Sequence, residues 1–365
     1  MGKVGATFLT NKKFNIDQVK EILKKHTTED KNDHQILEKI IFNFENNDIS
    51  LLTPQQIHFL NSNPKEEWAE YLIFRYKFTN YPRKQIESDF PNHIIIEPVS
   101  ACNLRCVMCF QVDESFTSDQ NFMGKMDLEL FKKIIDDAEK TGIKAITLTG
   151  RGEPTLHPQL GEMLDYCSDK FFELKMNTNA TRLTEKLIHK ILQSDITDLV
   201  FSVDSYEKKE YESIRVNGIF EEILNNISKF KEIKDKEYPN SKCATRISGV
   251  KIDPSQNAKK FKEYWEKYVD HVVMVELLQR WDIYNNSTEI MSNNPCNYLW
   301  GEMNIWYDGV CNPCDTDYKS HLTPGSIKNQ TIKEIWNGEK YKQIREAHKN
   351  QKRSSYHPCD RCPNW

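Results

Sequence analysis

Three cysteines, Cys102, Cys106 and Cys109, are spaced C-x3-C-x2-C in the segment EPVSACNLRCVMCFQ. Thiolates from one short loop can reach a single metal centre. A structural zinc ion takes four protein ligands, and no further cysteine or histidine lies near these three in the loop. A 4Fe–4S cluster normally takes four thiolates, so three would leave one iron open to a substrate or cofactor.

The elements that must position these cysteines alternate between strand and helix from about residue 90 to residue 277. The predicted strands are 93–97, 145–149, 173–177, 198–203, 243–248 and 272–276, and the predicted helices between them are 128–140, 184–193, 218–232 and 257–268. This alternation is typical of an α/β fold with a parallel sheet and ligands at the carboxyl ends of the strands. About six units are too few for a closed eight-stranded barrel, so we expect a partial (β/α)6 barrel.

Three regions follow from the changes in pattern along the chain. The pattern predicts three regions: a helical N-terminal segment without cysteines at 1–88, the α/β core at 89–280, and a cysteine-rich region at 281–365. In the last region, Thr331 and Glu334 form a predicted capping box at the start of a helix with an apolar side. We expect the helical segment to pack as a cap, with recognition of a substrate or partner as the alternative.

C-x3-C-x2-C directly after the first strand of an α/β sheet resembles the signature of the radical S-adenosylmethionine (SAM) superfamily, and the resemblance covers about residues 92–277. It implies a 4Fe–4S cluster on Cys102, Cys106 and Cys109, with SAM bound at the open iron. Reductive cleavage of SAM gives a 5′-deoxyadenosyl radical that removes a hydrogen atom from the substrate. Such a reactive radical requires an enclosed site. Met108 departs from the family, in which an aromatic residue is common there.

The second predicted strand ends in TLTGRGEP, where radical SAM proteins carry a GGEP-type turn that holds the SAM amino group. Glycines let the backbone approach a ligand, and a carboxylate suits an ammonium group. The resemblance therefore implies cofactor contacts from Gly150, Arg151, Gly152 and Glu153, with Arg151 in place of the first glycine of the family pattern.

The next two predicted strands run into the polar segments MNTNAT and FSVDS. By the same resemblance, Asn179 is a SAM ligand, and Ser202 and Asp204 bind the ribose hydroxyls. Arg215 and Arg246 are both candidates to bind the SAM carboxylate.

The five C-terminal cysteines, at positions 296, 311, 314, 359 and 362, resemble the SPASM/twitch extension of the superfamily, a small hairpin-plus-helix domain with an auxiliary cluster. The implied ligands are Cys296, Cys314, Cys359 and Cys362, which would close a second, auxiliary 4Fe–4S cluster suited to electron transfer. Cys311 is then spare, or it replaces Cys314. On spacing alone, a structural zinc site with four thiolates is the alternative.

An auxiliary cluster beside a radical site implies that it accepts an electron from the substrate radical, which makes the net reaction an oxidation. The twitch architecture also occurs in an aminocyclitol dehydrogenase and related carbohydrate-modifying enzymes, which favours a small-molecule substrate of that type. The electron for SAM cleavage would come from an external one-electron donor such as flavodoxin or ferredoxin. We expect substrate contacts in the loop that contains Gln279, Arg280, Trp281 and Asp282.

Three other functions stay open. A radical epimerase would use a cysteine as hydrogen donor, with Cys243 and Cys311 as candidates whose alternative role is that of a small buried hydrophobe. A peptide maturase is disfavoured because the first 88 residues look too helical for the usual recognition element. A non-catalytic iron–sulfur protein would have no use for the GRGEP and SVD motifs.

Composition excludes some classes of partner. The chain has 50 Lys and Arg against 54 Asp and Glu, a net charge of −4, which argues against a nucleic-acid binder. No apolar stretch is long enough to span a membrane, and the start, MGKVGATF, lacks a secretory pattern. We therefore expect a cytoplasmic protein with no membrane partner.

Overall fold

The structure is a computed structural model that describes residues 15–278, 281–285 and 293–362. It divides into two compact units, one up to Ile86 and the other from Glu87 onwards. Within the described residues, no helix is long and apolar enough to cross a membrane.

The described part of the first unit is helical, as the sequence predicts. α1 and α2 begin at the side-chain caps Asn15 and Asp30, and α3 begins at a capping box between Thr53 and Gln56. Asn63 ends α3, and a 3-10 turn precedes α4. The α-helices are α1 (Ile16–Lys25), α2 (Lys31–Glu45), α3 (Pro54–Ser62) and α4 (Trp68–Lys84).

The second unit carries the strands and the remaining helices. Its strands are β1 (His93–Ile96), β2 (Arg105–Cys106), β3 (Ala145–Leu148), β4 (Glu173–Thr178), β5 (Asp198–Ser202), β6 (Arg215–Val216), β7 (Ala244–Lys251), β8 (His271–Glu276), β9 (Glu302–Ile305), β10 (Val310–Asn312) and β11 (Gly325–Ser326). Its α-helices are α5 (Glu114–Thr117), α6 (Leu128–Thr141), α7 (Leu160–Cys167), α8 (Glu185–Gln193), α9 (Lys208–Ile214), α10 (Phe220–Glu237), α11 (Ala258–Trp265), α12 (Ile332–Trp336) and α13 (Glu339–Lys349).

One sheet of nine strands organises this unit, in the order β11-β10-β9-β1-β3-β4-β5-β7-β8. From β9 to β8 all neighbouring strands are parallel, which confirms the predicted α/β fold with a partial barrel. Helices connect the parallel strands; α6, for example, begins at the side-chain cap Asp127 and ends at Gly142, whose φ of 93° favours glycine.

Alternate residues of the strands pack against these helices in one apolar core, which includes Ile94, Leu148, Met176 and Phe201. Because side chains alternate across a strand, the residues between them face the other side of the sheet. That other side, called here the open face, carries polar residues on neighbouring strands, including Thr147, Lys175, Asn177, Ser202 and Ser248.

The C-terminal hairpin is continuous with the main sheet. β9 pairs in parallel with β1, with Ile95 opposite Asn304, and β10 returns antiparallel to β9. The capping box of Thr331 and Glu334 is present at α12, but the single predicted helix is divided in two, because α12 ends at Trp336 and α13 starts at Glu339. The cysteine-rich region therefore extends the same sheet that carries the first cysteine loop.

Candidate functional site

The loop after β1 places the first three cysteines beside one another. Cys106 lies in β2, which pairs with β6 so that Cys106 is opposite Arg215, and the Cys109 N–H donates to the Cys106 carbonyl at 2.9 Å. Burial, together with the neighbouring Glu153, Cys106 and Cys109, raises the pKa of Cys102 to about 12. Buried thiols that oppose one another's ionisation need a cationic centre to hold them as thiolates, and an iron cluster provides one.

Hydrogen-bond donors point at two of these sulfur atoms. The Asn179 amide lies 3.8 Å from Cys102 Sγ, the Leu104 N–H lies 3.4 Å from the same atom, and Arg215 Nη1 lies 3.8 Å from Cys106 Sγ. Such donors stabilise negatively charged sulfur and tune the potential of a cluster. The predicted residues Asn179 and Arg215 are thus brought to the cysteine loop.

Glu153 is a buried carboxylate at the end of the turn after β3. It accepts hydrogen bonds from the Thr155 N–H and hydroxyl, from the Thr178 hydroxyl at 2.7 Å, and from the Asn179 N–H at 2.7 Å. Burial raises the pKa of this carboxyl above its ordinary value. No cation pairs with Glu153 among the described residues. The SAM ammonium group fits this position, since it would supply the missing positive charge.

The two glycines of the turn are required by close packing. A Cβ at Gly152 would lie 2.3 Å from the Val99 carbonyl oxygen and 2.4 Å from that of Ala101, and a Cβ at Gly150 would lie 2.6 Å from the Cβ of Glu97. The turn therefore lies directly against the start of the cysteine loop.

The side chain of Arg151, a residue predicted to contact the cofactor, binds other protein groups. The guanidinium forms a two-pronged ion pair with Glu97, at 2.6 and 2.9 Å, and donates to the Tyr318 carbonyl at 3.0 Å. It also lies over the Trp306 ring, 4.5 Å from the centroid. The charge of Arg151 is therefore already paired with a buried carboxylate, and a contact of Arg151 with the cofactor stays a prediction.

Asp204, which was predicted to bind the ribose, also has hydrogen-bond and ion-pair partners within the protein. Its carboxylate accepts from the Val250 N–H at 2.8 Å and lies 2.7 Å from Arg215 Nε, and both side chains are buried. Arg246 likewise pairs with Asp198 at 2.9 Å, at the start of β5 and away from the cysteine loop. Of the residues proposed for the ribose, Ser202 stays half-buried on the open face.

Four of the C-terminal cysteines, Cys296, Cys314, Cys359 and Cys362, line a common pocket. Burial and the neighbouring Cys362 raise the pKa of Cys359 to about 12, and burial raises the pKa of Cys314 well above its ordinary value. Within the described ranges, no three His, Cys, Asp or Glu side chains are arranged to hold a single metal ion directly. The four cysteines surround a space instead, and a thiolate donor set of this kind suits a cluster.

The other buried cysteines lie away from both groups. Cys311 is fully buried in β10 and belongs to the apolar core, and it does not line the pocket that Cys314 lines. Cys243 is buried directly before β7, whereas the first cysteine loop lies beyond the carboxyl end of β1. Neither placement supports a hydrogen donor at the SAM site.

Of the expected substrate loop, Gln279 and Arg280 lie outside the described residues. Trp281 packs against an aromatic cluster that contains Phe110 and Tyr318, and Asp282 has a φ of 53°.

Two residues near the site were not predicted from the sequence. Gln111 donates from Nε2 to the Ser100 and Arg151 carbonyls at 2.7 and 2.6 Å, and Glu97 pairs with Arg151, but no local sequence signal marks either residue.

Family models match two parts of the chain. The radical SAM superfamily model matches residues 96–251, and the SPASM model, described as an iron–sulfur cluster-binding domain, matches residues 296–363. Both matches lie where the cysteine groups are.

Curated relatives share part of the chain. A tungsten-containing aldehyde ferredoxin oxidoreductase cofactor-modifying protein from Pyrococcus furiosus is 38% identical over 113 residues, 31% of this chain and 30% of that protein. Mycofactocin maturase MftC from Mycobacterium tuberculosis is 29% identical over 133 residues, 36% of this chain and 32% of that protein. The chain thus matches about a third of the length of these relatives.

Solved structures share the fold. BtrN in complex with AdoMet and 2-DOIA superposes with a TM-score of 0.52 at 20% identity, over 76% of this chain and 94% of that one. Streptococcus suis SuiB bound to the precursor peptide SuiA gives a TM-score of 0.55 at 15% identity, over 82% of this chain and 75% of that one.

These matches agree with the cysteine groups and with the turn that holds Glu153. The radical SAM domain uses SAM and a 4Fe–4S cluster, and the SPASM domain binds additional iron–sulfur clusters. The chain therefore carries a radical SAM domain followed by a SPASM domain.

Proposed function

We propose that this radical SAM enzyme oxidises a polar small molecule of carbohydrate or aminocyclitol type, which binds on the open face of the sheet. The proposal rests on one observation, which is that two polar side chains on that face lack a hydrogen-bond partner. Asn177 Oδ1 is buried without a hydrogen-bond partner, and Lys175 has neither a hydrogen bond nor an ion pair among the described residues.

The register of the strands puts these groups close to the cysteine loop. Asn177 lies two residues before Asn179, whose amide is 3.8 Å from Cys102 Sγ. Two residues of a strand span about 7 Å, so a bound molecule would bridge from the site of radical formation to Asn177. Thr147, which is in register with Lys175, lies on the same face.

The chemistry of the unpaired groups favours a hydroxylated ligand. The Lys175 ammonium can only donate, and Asn177 Oδ1 can only accept. A hydroxyl group does both, so neighbouring hydroxyls of a polyol would satisfy the two residues together. An apolar ligand would leave both groups unpaired, which costs about 1–3 kcal/mol for each buried group.

When bound, SAM and the first cluster would supply a one-electron cleavage that gives a 5′-deoxyadenosyl radical. In this proposal, Glu153 holds the SAM ammonium group, Ser202 bonds to the ribose, and Arg215 and Asn179 donate to the cysteine sulfurs. A flavodoxin or ferredoxin would supply the electron that cleaves SAM, and the resulting radical would take one hydrogen atom from the substrate. Cys296, Cys314, Cys359 and Cys362 would hold the auxiliary cluster, which would accept one electron from the substrate radical while a proton leaves. The substrate would thus lose two hydrogen atoms in all.

Maturation of a peptide is the second candidate. Relatives of the chain include a mycofactocin maturase, and SuiB shares the fold with a precursor peptide bound. The structure adds one favourable feature, since β8 ends the sheet and its Val273 and Val275 are exposed. An extended peptide can add to such an edge by strand pairing.

Radical epimerisation has less support. It needs a thiol that donates a hydrogen atom to the substrate radical, and both candidate cysteines are in the apolar core. The oxidation proposal therefore takes precedence over it.

An anaerobic assay tests the proposal with the reconstituted protein, SAM and dithionite. A panel of aminocyclitols and amino sugars is compared with a panel of peptides, with 5′-deoxyadenosine and product mass as readouts. We expect the first panel to raise 5′-deoxyadenosine formation and to yield a product lighter by two hydrogen atoms. Lys175→Met should raise KM for that substrate and leave SAM cleavage without substrate unchanged, and Cys102→Ala should abolish cleavage.

The outcomes separate the two candidates. Turnover of peptides alone would replace the oxidation of a small molecule by peptide maturation. A product equal in mass to its substrate would point to epimerisation. If Lys175→Met left KM unchanged for an accepted polyol, the open face would not be the binding site.

A further inference from the structure

Arg151 connects the turn after β3 with the SPASM domain. Its side chain is almost fully buried, and its Nη1 donates to the carbonyl oxygen of Tyr318, which is 167 residues away in sequence. The same guanidinium pairs with both oxygens of Glu97, and Glu97 Oε1 also accepts from the Tyr307 N–H of the hairpin at 3.3 Å. One side chain thus joins strand β1, the turn and the C-terminal hairpin.

Tyr318 also contacts the other half of the SAM site. Its ring stacks on Phe110 with centroids 4.8 Å apart and planes 21° apart, and Phe110 directly follows Cys109. Its hydroxyl donates to Asp113 Oδ2 at 2.7 Å. Tyr318 therefore lies against the cysteine loop with its ring and against the turn with its carbonyl.

The chain between Cys314 and Tyr318 is held firmly. The buried Asp317 carboxylate accepts from the Leu322 N–H at 2.7 Å, from the His321 N–H at 3.0 Å, and from the Tyr284 hydroxyl at 2.8 Å. Cys314 lies four residues before Tyr318 and lines the auxiliary pocket. A displacement of Cys314 would be passed on to Tyr318, because this segment has little freedom to absorb it.

At the other end, Arg151 is two residues from Glu153. Gln111 holds the Arg151 carbonyl at 2.6 Å, and the Glu153 N–H donates to the Ala101 carbonyl at 3.0 Å. Arg151 and Glu153 are therefore parts of one turn, which is held against the cysteine loop at both residues.

We propose that Arg151 is a positioning residue that couples the auxiliary-cluster site to SAM binding, through the carbonyl of Tyr318 on one side and Glu153 on the other. A filled auxiliary site fixes Cys314 and Tyr318, so Arg151 holds the turn in the arrangement that receives SAM. The inference rests on the proposed roles of Glu153 and Cys314. It explains why arginine occupies a position where the family pattern has glycine.

A double-mutant cycle tests this coupling with the full chain. The four proteins are the parent, Arg151→Met, Cys314→Ala and the double variant, each reconstituted anaerobically. Equilibrium dialysis with labelled SAM gives the Kd, and the EPR spectrum of the reduced first cluster with SAM gives a second readout. Arg246→Met is the matched control, because it removes an arginine from an ion pair of the same sheet that contacts neither site.

We expect Cys314→Ala to weaken SAM binding about tenfold in the parent and less than twofold when Arg151 is already methionine, within the usual range of coupling between sites. Arg246→Met should leave the full effect of Cys314→Ala. Equal effects of Cys314→Ala with and without Arg151 would overturn the coupling, as would no effect in the parent.

Two further measurements keep the outcome decisive. If Arg151→Met does not fold, Arg151→Lys replaces it, since a single ammonium group cannot reach Glu97 twice and Tyr318 as well. If Glu153→Gln leaves SAM affinity unchanged, the assigned role of Glu153 fails; loss of affinity there without coupling refutes only the role of Arg151.

Discussion

Glu153→Gln should weaken SAM binding, and the structure sets the size of the effect. One carboxylate oxygen of Glu153 accepts from the Thr155 N–H, the Thr155 hydroxyl and the Thr178 hydroxyl, and the other accepts from the Asn179 N–H. Glutamine replaces one acceptor oxygen by an NH2 donor. In either orientation this donor faces a backbone N–H, so one buried hydrogen bond is lost.

The same substitution removes the charge that the SAM ammonium group would meet. Hydrogen bonds to charged groups contribute about 1.5–3 kcal/mol, and 1.4 kcal/mol corresponds to a factor of ten in affinity. We therefore expect the Kd for SAM to rise about 10- to 100-fold. The assay is equilibrium dialysis of the reconstituted protein with labelled SAM, with iron content and melting temperature measured to show that the variant is folded and loaded.

The pH dependence of binding gives an independent check. Burial raises the pKa of Glu153 in the SAM-free protein above the ordinary value of 4.5. The ionised carboxylate is the form that binds an ammonium group, so affinity should fall as the pH decreases, starting at a higher pH than for an ordinary glutamate. Glu153→Gln should abolish this part of the dependence. A folded Glu153→Gln protein with parental affinity and an unchanged pH profile would refute the reasoning.

Substitutions at four positions test the remaining structure. Cys314→Ala should lower the iron content by about four atoms per chain, as expected for a lost 4Fe–4S cluster, while Cys311→Ala should not; equal iron in both variants would contradict the assignment of Cys314. Glu97→Ala should destabilise the fold by about 3–5 kcal/mol, because it leaves the Arg151 charge buried and unpaired; a shift in the urea midpoint equivalent to less than about 1 kcal/mol would contradict this. Thr331→Ala should cost about 1 kcal/mol through loss of the cap of α12, and Thr331→Ser should restore most of it in the same measurement.

Much of the fold follows from local pattern. Six of the seven parallel strands were predicted close to their observed positions, because apolar residues recur along each strand and turn residues separate strand from helix. The strand order β1-β3-β4-β5-β7-β8 also follows, since consecutive βαβ units lie side by side. The parallel pairing of β9 with β1 was not predicted, because nothing local indicates which edge a C-terminal hairpin will join.

The candidate site divides in the same way. Cysteine spacing and the GRGEP motif pick out Cys102 and Glu153 from the sequence, and the structure places both beside Asn179. The partners of charged side chains could not be read from the sequence. Asp204 resembles a ribose ligand, yet its carboxylate accepts from the Val250 N–H and pairs with Arg215.

By itself, the sequence determined the donor atoms and the order of the elements, because thiolate spacing and strand–helix alternation are properties of neighbouring residues. The tertiary structure alone decided what Arg151 does, since its partners Glu97 and Tyr318 are 54 and 167 residues away. A buried charge is destabilising unless an opposite charge lies beside it. Which residue supplies that charge depends on the packing of the whole unit.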